Sequence, residues 1–255
     1  MLFDSHAHYN DSRFDEDRFD LLDKMEESGV GYIVNAADSM RSIEKIFPLC
    51  EKYGFLYASV GVHPEEVADL CEADMERLKE LSRHKKVVAI GEIGLDYYYD
   101  DVPKDIQKKW FERQLALAEE VELPVIIHDR DAHRDCLDIL AKHDIKRTGG
   151  VMHCYSGSAE MAKEVLELGM YFGFGGTLTF KNAKKTQKAA EEIPIGRILL
   201  ETDCPYLAPE PYRGTKNSSL LMHFVAEKLA QIKGISVSEV ERITTENAKR
   251  FYGIG

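Results

Sequence analysis

The stretch Val87-Val88-Ala89-Ile90-Gly91-Glu92-Ile93-Gly94-Leu95-Asp96 decides how this chain is read. Four apolar residues, three of them β-branched, run into Gly91 and the carboxylate Glu92. A short apolar run closed by a glycine reads as a buried strand, here Val87–Ile90. An amphipathic stretch follows at Ile106–Val121. A second apolar run, Val125–Ile127, then ends in His128. Strand, helix and strand in that order form the unit of a parallel sheet whose faces are covered by helices.

The same alternation extends in both directions from this unit. Upstream lie the strand runs Leu2–Ser5, Tyr32–Ala36 and Leu56–Val60, and downstream Val151–Met152, Tyr171–Phe174 and Ile198–Glu201. Helical patterns occur at Phe19–Ser28, Ile43–Tyr53, Ala132–Lys142, Ala159–Leu168, Ala183–Glu192 and Leu220–Ile232. A last helix near Ser236–Phe251 opens on Ser236-Val237-Ser238-Glu239, the spacing of a capping box. Eight strands is the number that closes a barrel, so the expected fold is an α/β TIM (β/α)₈ barrel with a C-terminal helix. No linker or repeat divides the chain, and one domain over residues 1–255 is expected. An open doubly wound sheet competes, but no GxGxxG follows the first strand. Asp100–Lys104 and Pro205–Ser219 are the longest irregular stretches and read as loops over a site.

Composition narrows the function classes. The chain has 255 residues, 44% hydrophobic and 31% charged, enough for a large core. No run of eighteen apolar residues occurs, and the first ten residues, MLFDSHAHYN, lack the parts of a signal peptide. A cytoplasmic protein without a membrane partner is expected. Its five cysteines form no CxxC, which disfavours a disulfide framework and a zinc ribbon. The net charge of -12 argues against binding nucleic acid through a broad basic surface. It leaves room for an enzyme that grips phosphates with bound cations.

Chemistry concentrates where the strands end. The first strand leads into His6-Ala7-His8, and residues two apart on a strand face the same way. The fourth leads to Glu92, the fifth to His128, the sixth to His153 and the eighth to Asp203. In barrels, this C-terminal end is where active sites are built. One strand-end histidine is more often a hydrogen-bonded structural residue. Four histidines with two carboxylates are hard to explain by packing, because buried polar groups need partners. The mixed nitrogen and oxygen set suits Zn²⁺, Mn²⁺ or Mg²⁺. Six ligands exceed one tetrahedral site and suffice for two divalent metal ions bridged by Glu92. His63, in Gly61-Val62-His63-Pro64, is a seventh candidate, facing substrate or supporting the ligands. Alternation turns Cys154 and Cys204 away from the neighbouring ligands, so both read as packing residues rather than nucleophiles.

With these residues assembled, the chain resembles the TatD family of metal-dependent deoxyribonucleases along nearly its whole length. The likeness is carried by Asp4-Ser5-His6-Ala7-His8, Gly61-Val62-His63-Pro64, Gly91–Tyr97 (GEIGLDY), Pro124–Arg130 (PVIIHDR), His153–Gly157 (HCYSG), Thr179–Ala183 (TFKNA) and Glu201–Leu207 (ETDCPYL). The resemblance implies a barrel with one or two divalent ions and Mg²⁺-dependent nuclease activity, including 3′-to-5′ exonuclease action on DNA or RNA. It assigns one metal to His6, His8, Glu92 and Asp203, and a second to Glu92, His128 and His153. This chain departs from the family pattern at Glu65-Glu66 and at Arg213–Ser219, both in loops expected to meet substrate.

The expected reaction is hydrolysis of phosphodiester bonds in DNA, single-stranded DNA first, with RNA also within reach. A bound divalent ion lowers the pKa of its water toward ~7. Asp203 is the candidate to orient and deprotonate that water, and Glu92 shares the catalytic centre. Arg130, Lys181, Arg213 and Lys216 lie on strand-end loops and are candidates to hold phosphates, although solvated surface charge is the commoner role for any one of them. Tyr97, Tyr98, Tyr99, Tyr206 and Tyr212 are candidates to stack on bases. Substrate contacts are therefore assigned to His63, Arg130, Tyr206 and Arg213. An amide or ester hydrolase such as an aminoacyl-tRNA deacylase is the alternative, because fold and ligands alone do not choose the bond. A non-enzymatic metal-bearing scaffold is the third reading, disfavoured by the full ligand set.

Overall fold

The computed structural model describes residues 1–255. Its strands are β1 (Leu2–Ala7), β2 (Val30–Asn35), β3 (Leu56–Val60), β4 (Val87–Asp96), β5 (Val125–Arg130), β6 (Gly150–Met152), β7 (Tyr171–Phe174) and β8 (Ile198–Leu200). The helices are α1 (Arg18–Leu22), α2 (Met40–Lys52), α3 (Glu72–Leu81), α4 (Lys104–Val121), α5 (His133–Leu140), α6 (Ile145–Thr148), α7 (Ala159–Glu167), α8 (Lys184–Glu192), α9 (Met222–Lys233) and α10 (Val237–Tyr252). The strands form one sheet in chain order, β1 to β8, which is the strand order of a (β/α)₈ barrel.

Two compact units make up the chain. The first comprises Met1–Asn35, Cys154–Lys163 and Phe172–Gly255. In it β7 pairs with β8 in parallel, Gly173 opposite Leu199, and β1 with β2, Phe3 opposite Tyr32. A parallel bridge between Ala7 and Cys204 brings the end of β8 back to β1. Phe3 stacks on Tyr32 at 5.3 Å and on Tyr252 at 5.8 Å, so the C-terminal helix α10 lies against β1. The Tyr252 hydroxyl donates to the Ser5 carbonyl at 2.8 Å, which satisfies the one polar atom of a buried ring. Helix α10 starts with the expected capping box, the Ser236 hydroxyl accepting from the Glu239 amide at 3.2 Å.

The second unit comprises Ala36–His153 and Glu164–Tyr171. Its strands run parallel from β3 to β6, with Ile90 opposite Val125 and Ile127 opposite Met152. Helix α4 buries Trp110, Phe111, Leu115 and Leu117 against this sheet. It also buries two amides. Gln114 accepts from the Val62 amide at 2.8 Å and donates to the Val62 carbonyl at 3.0 Å, fixing the loop that carries His63. Gln107 does the same for Asp96, at 2.9 and 2.8 Å. Each side-chain amide satisfies the backbone of a buried residue, Val62 just past β3 and Asp96 at the end of β4.

Three local readings change. Helix α3, Glu72–Leu81, was not among the helical patterns expected. Its sequence EADMERLKEL buries only Met75 and Leu78, so charged residues mask its apolar face. The helix expected over Phe19–Ser28 shrinks to α1, Arg18–Leu22, and gives way to turns. Strand β4 runs on to Asp96 instead of ending at Ile90, because its last residues pair with β5 as far as Asp96 opposite Arg130.

Candidate metal centre

Each unit gathers part of the predicted ligand set at the C-terminal ends of its strands. In the first unit, His6 and His8 project from β1 on the same face, their Nε2 atoms 3.0 Å apart. Asp203, three residues past β8, brings Oδ1 to 3.3 Å from His8 Nε2 and 3.8 Å from His6 Nε2. Donor atoms around one ion at ~2.0–2.2 Å stand about 3 to 3.5 Å apart, so the His6–His8 and His8–Asp203 spacings fit a shared cation, with Asp203 slightly farther from His6. The Asp203 amide donates to the His6 carbonyl at 2.9 Å, locking β8's end to β1. Asp203 adopts a left-handed backbone with φ of 55°, sparsely populated except by glycine, asparagine and aspartate.

Beneath this trio sits a fully buried carboxylate. Asp4 accepts from the Thr202 and Ser219 hydroxyls, both at 2.6 Å, and from the Thr202 amide at 3.0 Å. Burial drives its pKa up to about 7, with these hydrogen bonds pulling the other way. Sequence reading quoted Asp4 only as part of a motif. The neighbouring Cys204 is buried, and burial pushes its thiol well above the ordinary range, as expected of a packing residue.

In the second unit, Glu92 is the hub. Its Oε1 lies 2.7 Å from His128 Nδ1, 3.1 Å from His153 Nε2 and 3.8 Å from His63 Nε2. The His63 and His128 rings meet edge to face at 4.2 Å, so His63 joins this cluster. His128 lies between two carboxylates, its Nε2 3.0 Å from Asp96 Oδ2. Burial opposes charge on the ring, but Asp96 and Glu92 outweigh it and raise His128 to about 9. Burial likewise raises Asp96, yet the bond from His128 prevails and its pKa falls below the ordinary value.

Asp96 was missed as a site residue, although a signal existed. Glu92, Gly94 and Asp96 alternate along β4 and so share one face. Gly94 stands directly opposite His128. A Cβ on Gly94 would lie 1.9 Å from the His128 carbonyl oxygen, at a φ of +147°, so only glycine lets β5 approach this closely.

The predicted substrate contacts separate. The Arg130 guanidinium lies 3.8 Å over the ring of Tyr98, and Tyr98 meets Tyr99 edge to face at 4.8 Å. Both tyrosines are exposed, at 57% and 45%. Tyr97 instead donates its hydroxyl to Asp135 at 2.6 Å and packs its loop. Tyr206 is exposed under Arg13, its hydroxyl 3.1 Å from Asp11. Arg213 covers the Phe180 ring at 4.2 Å, and Lys216 pairs with Asp17 at 2.6 Å. Lys181 is exposed, and Tyr212 packs on Phe224 at 5.3 Å.

Imidazoles and carboxylates converging at the ends of barrel strands fit divalent cations, and comparison with known proteins agrees. The model of the TatD related DNase family matches residues 3–253. The uncharacterized metal-dependent hydrolase YabD of Bacillus subtilis is 47% identical over the full length of both chains. The uncharacterized metal-dependent hydrolase YcfH of Escherichia coli is 37% identical, across 100% of this chain and 96% of the relative. The crystal structure of YJJV, a TatD homologue from Escherichia coli, superposes with a TM-score of 0.94 at 32% identity, covering 100% of this chain and 98% of the other. On a match of this extent, the chain belongs to the TatD family and is a metal-dependent hydrolase with the TIM-barrel fold.

Proposed function

We propose that this hydrolase cleaves phosphodiester bonds of nucleic acid, single-stranded DNA first, from the 3′ end, and that it works in the cytoplasm. Its five cysteines form no disulfide, in keeping with a reducing compartment. No helix is long and apolar enough to cross a membrane. The observation that carries the reading is the pairing of imidazole and carboxylate donors at strand ends with exposed aromatic and cationic side chains on the adjoining loops. Arg130 over Tyr98 and Arg13 over Tyr206 place a cation beside an exposed ring, a combination suited to a phosphate next to a stacked base.

His6, His8, Glu92, His128, His153 and Asp203 would hold two divalent ions, Mg²⁺, Mn²⁺ or Zn²⁺. Bound there, such ions supply Lewis acidity toward the phosphoryl oxygens and a more acidic attacking water. The chain's own groups do the rest. Asp203, partly exposed at its carboxylate, orients the water and takes its proton. His63, 3.8 Å from Glu92 through Nε2 and 3.8 Å from Glu65 through Nδ1, faces substrate or supports the ligands on the Glu92 side. Arg130 and Arg213 hold phosphates. Tyr98, Tyr99 and Tyr206 offer faces for unpaired bases.

The test is a metal-screened panel of end-labelled single-stranded DNA, RNA and aminoacyl-tRNA. Stepwise shortening of DNA from its 3′ end with Mg²⁺ or Mn²⁺ supports the proposal. Release of amino acid from aminoacyl-tRNA with intact DNA overturns it in favour of an ester or amide hydrolase.

A further inference from the structure

We infer that Asp96 is a positioning residue that ties the proposed metal ligand His128 to the aromatic turn Tyr97–Tyr99, using one carboxylate oxygen for each. The inference rests on the proposed function for the role of the turn, and on the geometry alone for the role toward His128.

Asp96 is only 1% exposed and uses both oxygens. Oδ2 lies 3.0 Å from His128 Nε2. Oδ1 accepts from the backbone amides of Tyr98 at 2.9 Å and Tyr99 at 3.4 Å. The residue has little freedom to move. Gln107 accepts from the Asp96 amide and donates to its carbonyl, and its side-chain amide also donates to the Val102 carbonyl at 3.0 Å. The carboxylate therefore stands as a fixed strut with an imidazole on one side and a turn on the other.

Toward His128 the consequence is one of tautomer. A carboxylate can only accept, so the Nε2 facing Asp96 carries the proton. Nδ1 faces a carboxylate as well, Glu92 at 2.7 Å, so without a cation both nitrogens donate; a cation held at Nδ1 would displace that proton and leave the one Asp96 holds on Nε2. Asp96 thus selects the tautomer whose free nitrogen looks at the hub of the ligand cluster. Partners of this kind orient ligands, and their loss typically costs about 10–100-fold in metal affinity.

Toward substrate the consequence is one of placement. The Asp96–Arg130 register at the end of the β4–β5 pair sets Arg130 beside the turn, where its guanidinium covers Tyr98. The exposed pair Tyr98 and Tyr99 is held by the same carboxylate that holds His128. A base stacked on that pair would be fixed in distance from the reacting phosphate through a single side chain.

The substitution Asp96→Asn separates this role from simple packing. A side-chain amide keeps the shape of the carboxylate but offers one acceptor oxygen, so it can accept from the turn or from the ring and not from both. With its oxygen on the two turn amides, its NH₂ faces His128 and forces the proton onto Nδ1. Calorimetric titration of the metal-free protein with Mn²⁺ should then show the Kd for the Glu92–His128 ion weakened about 10–100-fold, with KM for single-stranded DNA at saturating Mn²⁺ within about threefold of the parent. Tyr98→Ala should do the reverse, raising KM about tenfold and leaving the Mn²⁺ Kd unchanged, in line with ~1–3 kcal/mol per stacked base. Unchanged Mn²⁺ binding in Asp96→Asn overturns the inference. Should that variant fail to fold, the parent protein decides: ¹⁵N-histidine spectra of the Zn²⁺-loaded form must show the His128 proton on Nε2, and a proton on Nδ1 refutes it. Neither the titration nor the spectra involve substrate. A protein that ignores DNA yet shows both effects would overturn the proposed substrate and leave the positioning of His128 standing.

Discussion

Replacing Asp203 by asparagine asks whether this carboxylate does more than ligate. The backbone there is left-handed at φ 55°, a conformation asparagine tolerates well, so the substitution adds little strain. An amide oxygen can still occupy the Oδ1 position 3.3 Å from His8 Nε2, so a weakened cation contact survives. The backbone bond from residue 203 to the His6 carbonyl at 2.9 Å does not involve the side chain, so β1 and β8 stay joined. What is lost is the negative charge and the basicity. General-base loss is worth ~10²–10⁴-fold in rate, about 3–5 kcal/mol in the barrier. Turnover on end-labelled DNA, measured against Mn²⁺ concentration with metal content counted in parallel, should fall by that factor at every concentration, with KM little changed. Full recovery at high Mn²⁺ would show that Asp203 only ligates, and the base would then have to be sought elsewhere, His63 first.

Three further outcomes follow from the same geometry. Gly94→Ala places a methyl 1.9 Å from the His128 carbonyl oxygen, at a φ that side chains avoid. Thermal denaturation should show a loss of about 3 kcal/mol or more, a Tm drop on the order of 6–12 °C, and an unchanged Tm would refute the close approach of β4 and β5. Titration of the native protein with a thiol reagent at pH 8 should modify the exposed Cys71 quickly and leave Cys50, Cys136 and Cys204 untouched until denaturant is added. Burial raises all three thiols, Cys50 to about 12, so essentially no thiolate exists at that pH. Because the folded chain gathers ligands that an unfolded one cannot, adding Mn²⁺ to chelator-treated protein at a hundred times its Kd should stabilise it by about 2.7 kcal/mol. An unmoved Tm would speak against a metal-binding native state.

Much of this was legible in the sequence because barrel chemistry sits at fixed places. An apolar run followed by histidine or glutamate marks both a strand and its catalytic end, and His6 and His8 declare a shared face by their spacing alone. What escaped has physical reasons. Helix α3 shows only Met75 and Leu78 to the core, too little for a periodic signal. The end of β4 fell outside the strand read at Val87–Ile90 because Gly91 and Gly94 interrupt the apolar run, whereas here they make room for neighbouring backbone and side chain. Asp96 was quoted without a role because its value depends on a partner strand: only the register with β5 brings it to His128. The loop cations were the least readable. Whether Lys216 meets phosphate or Asp17 depends on residues far apart in sequence, and the fold gives it to Asp17.

His6, His8, Glu92, His128, His153 and Asp203 are the side chains proposed to hold the catalytic ions. Anomalous diffraction from crystals grown with Mn²⁺ tests this most directly. Two peaks are predicted, with every one of the six side chains placing a donor atom within about 2.0–2.3 Å of a peak. Peaks elsewhere, or none at these side chains at full Mn²⁺ saturation, would contradict the account.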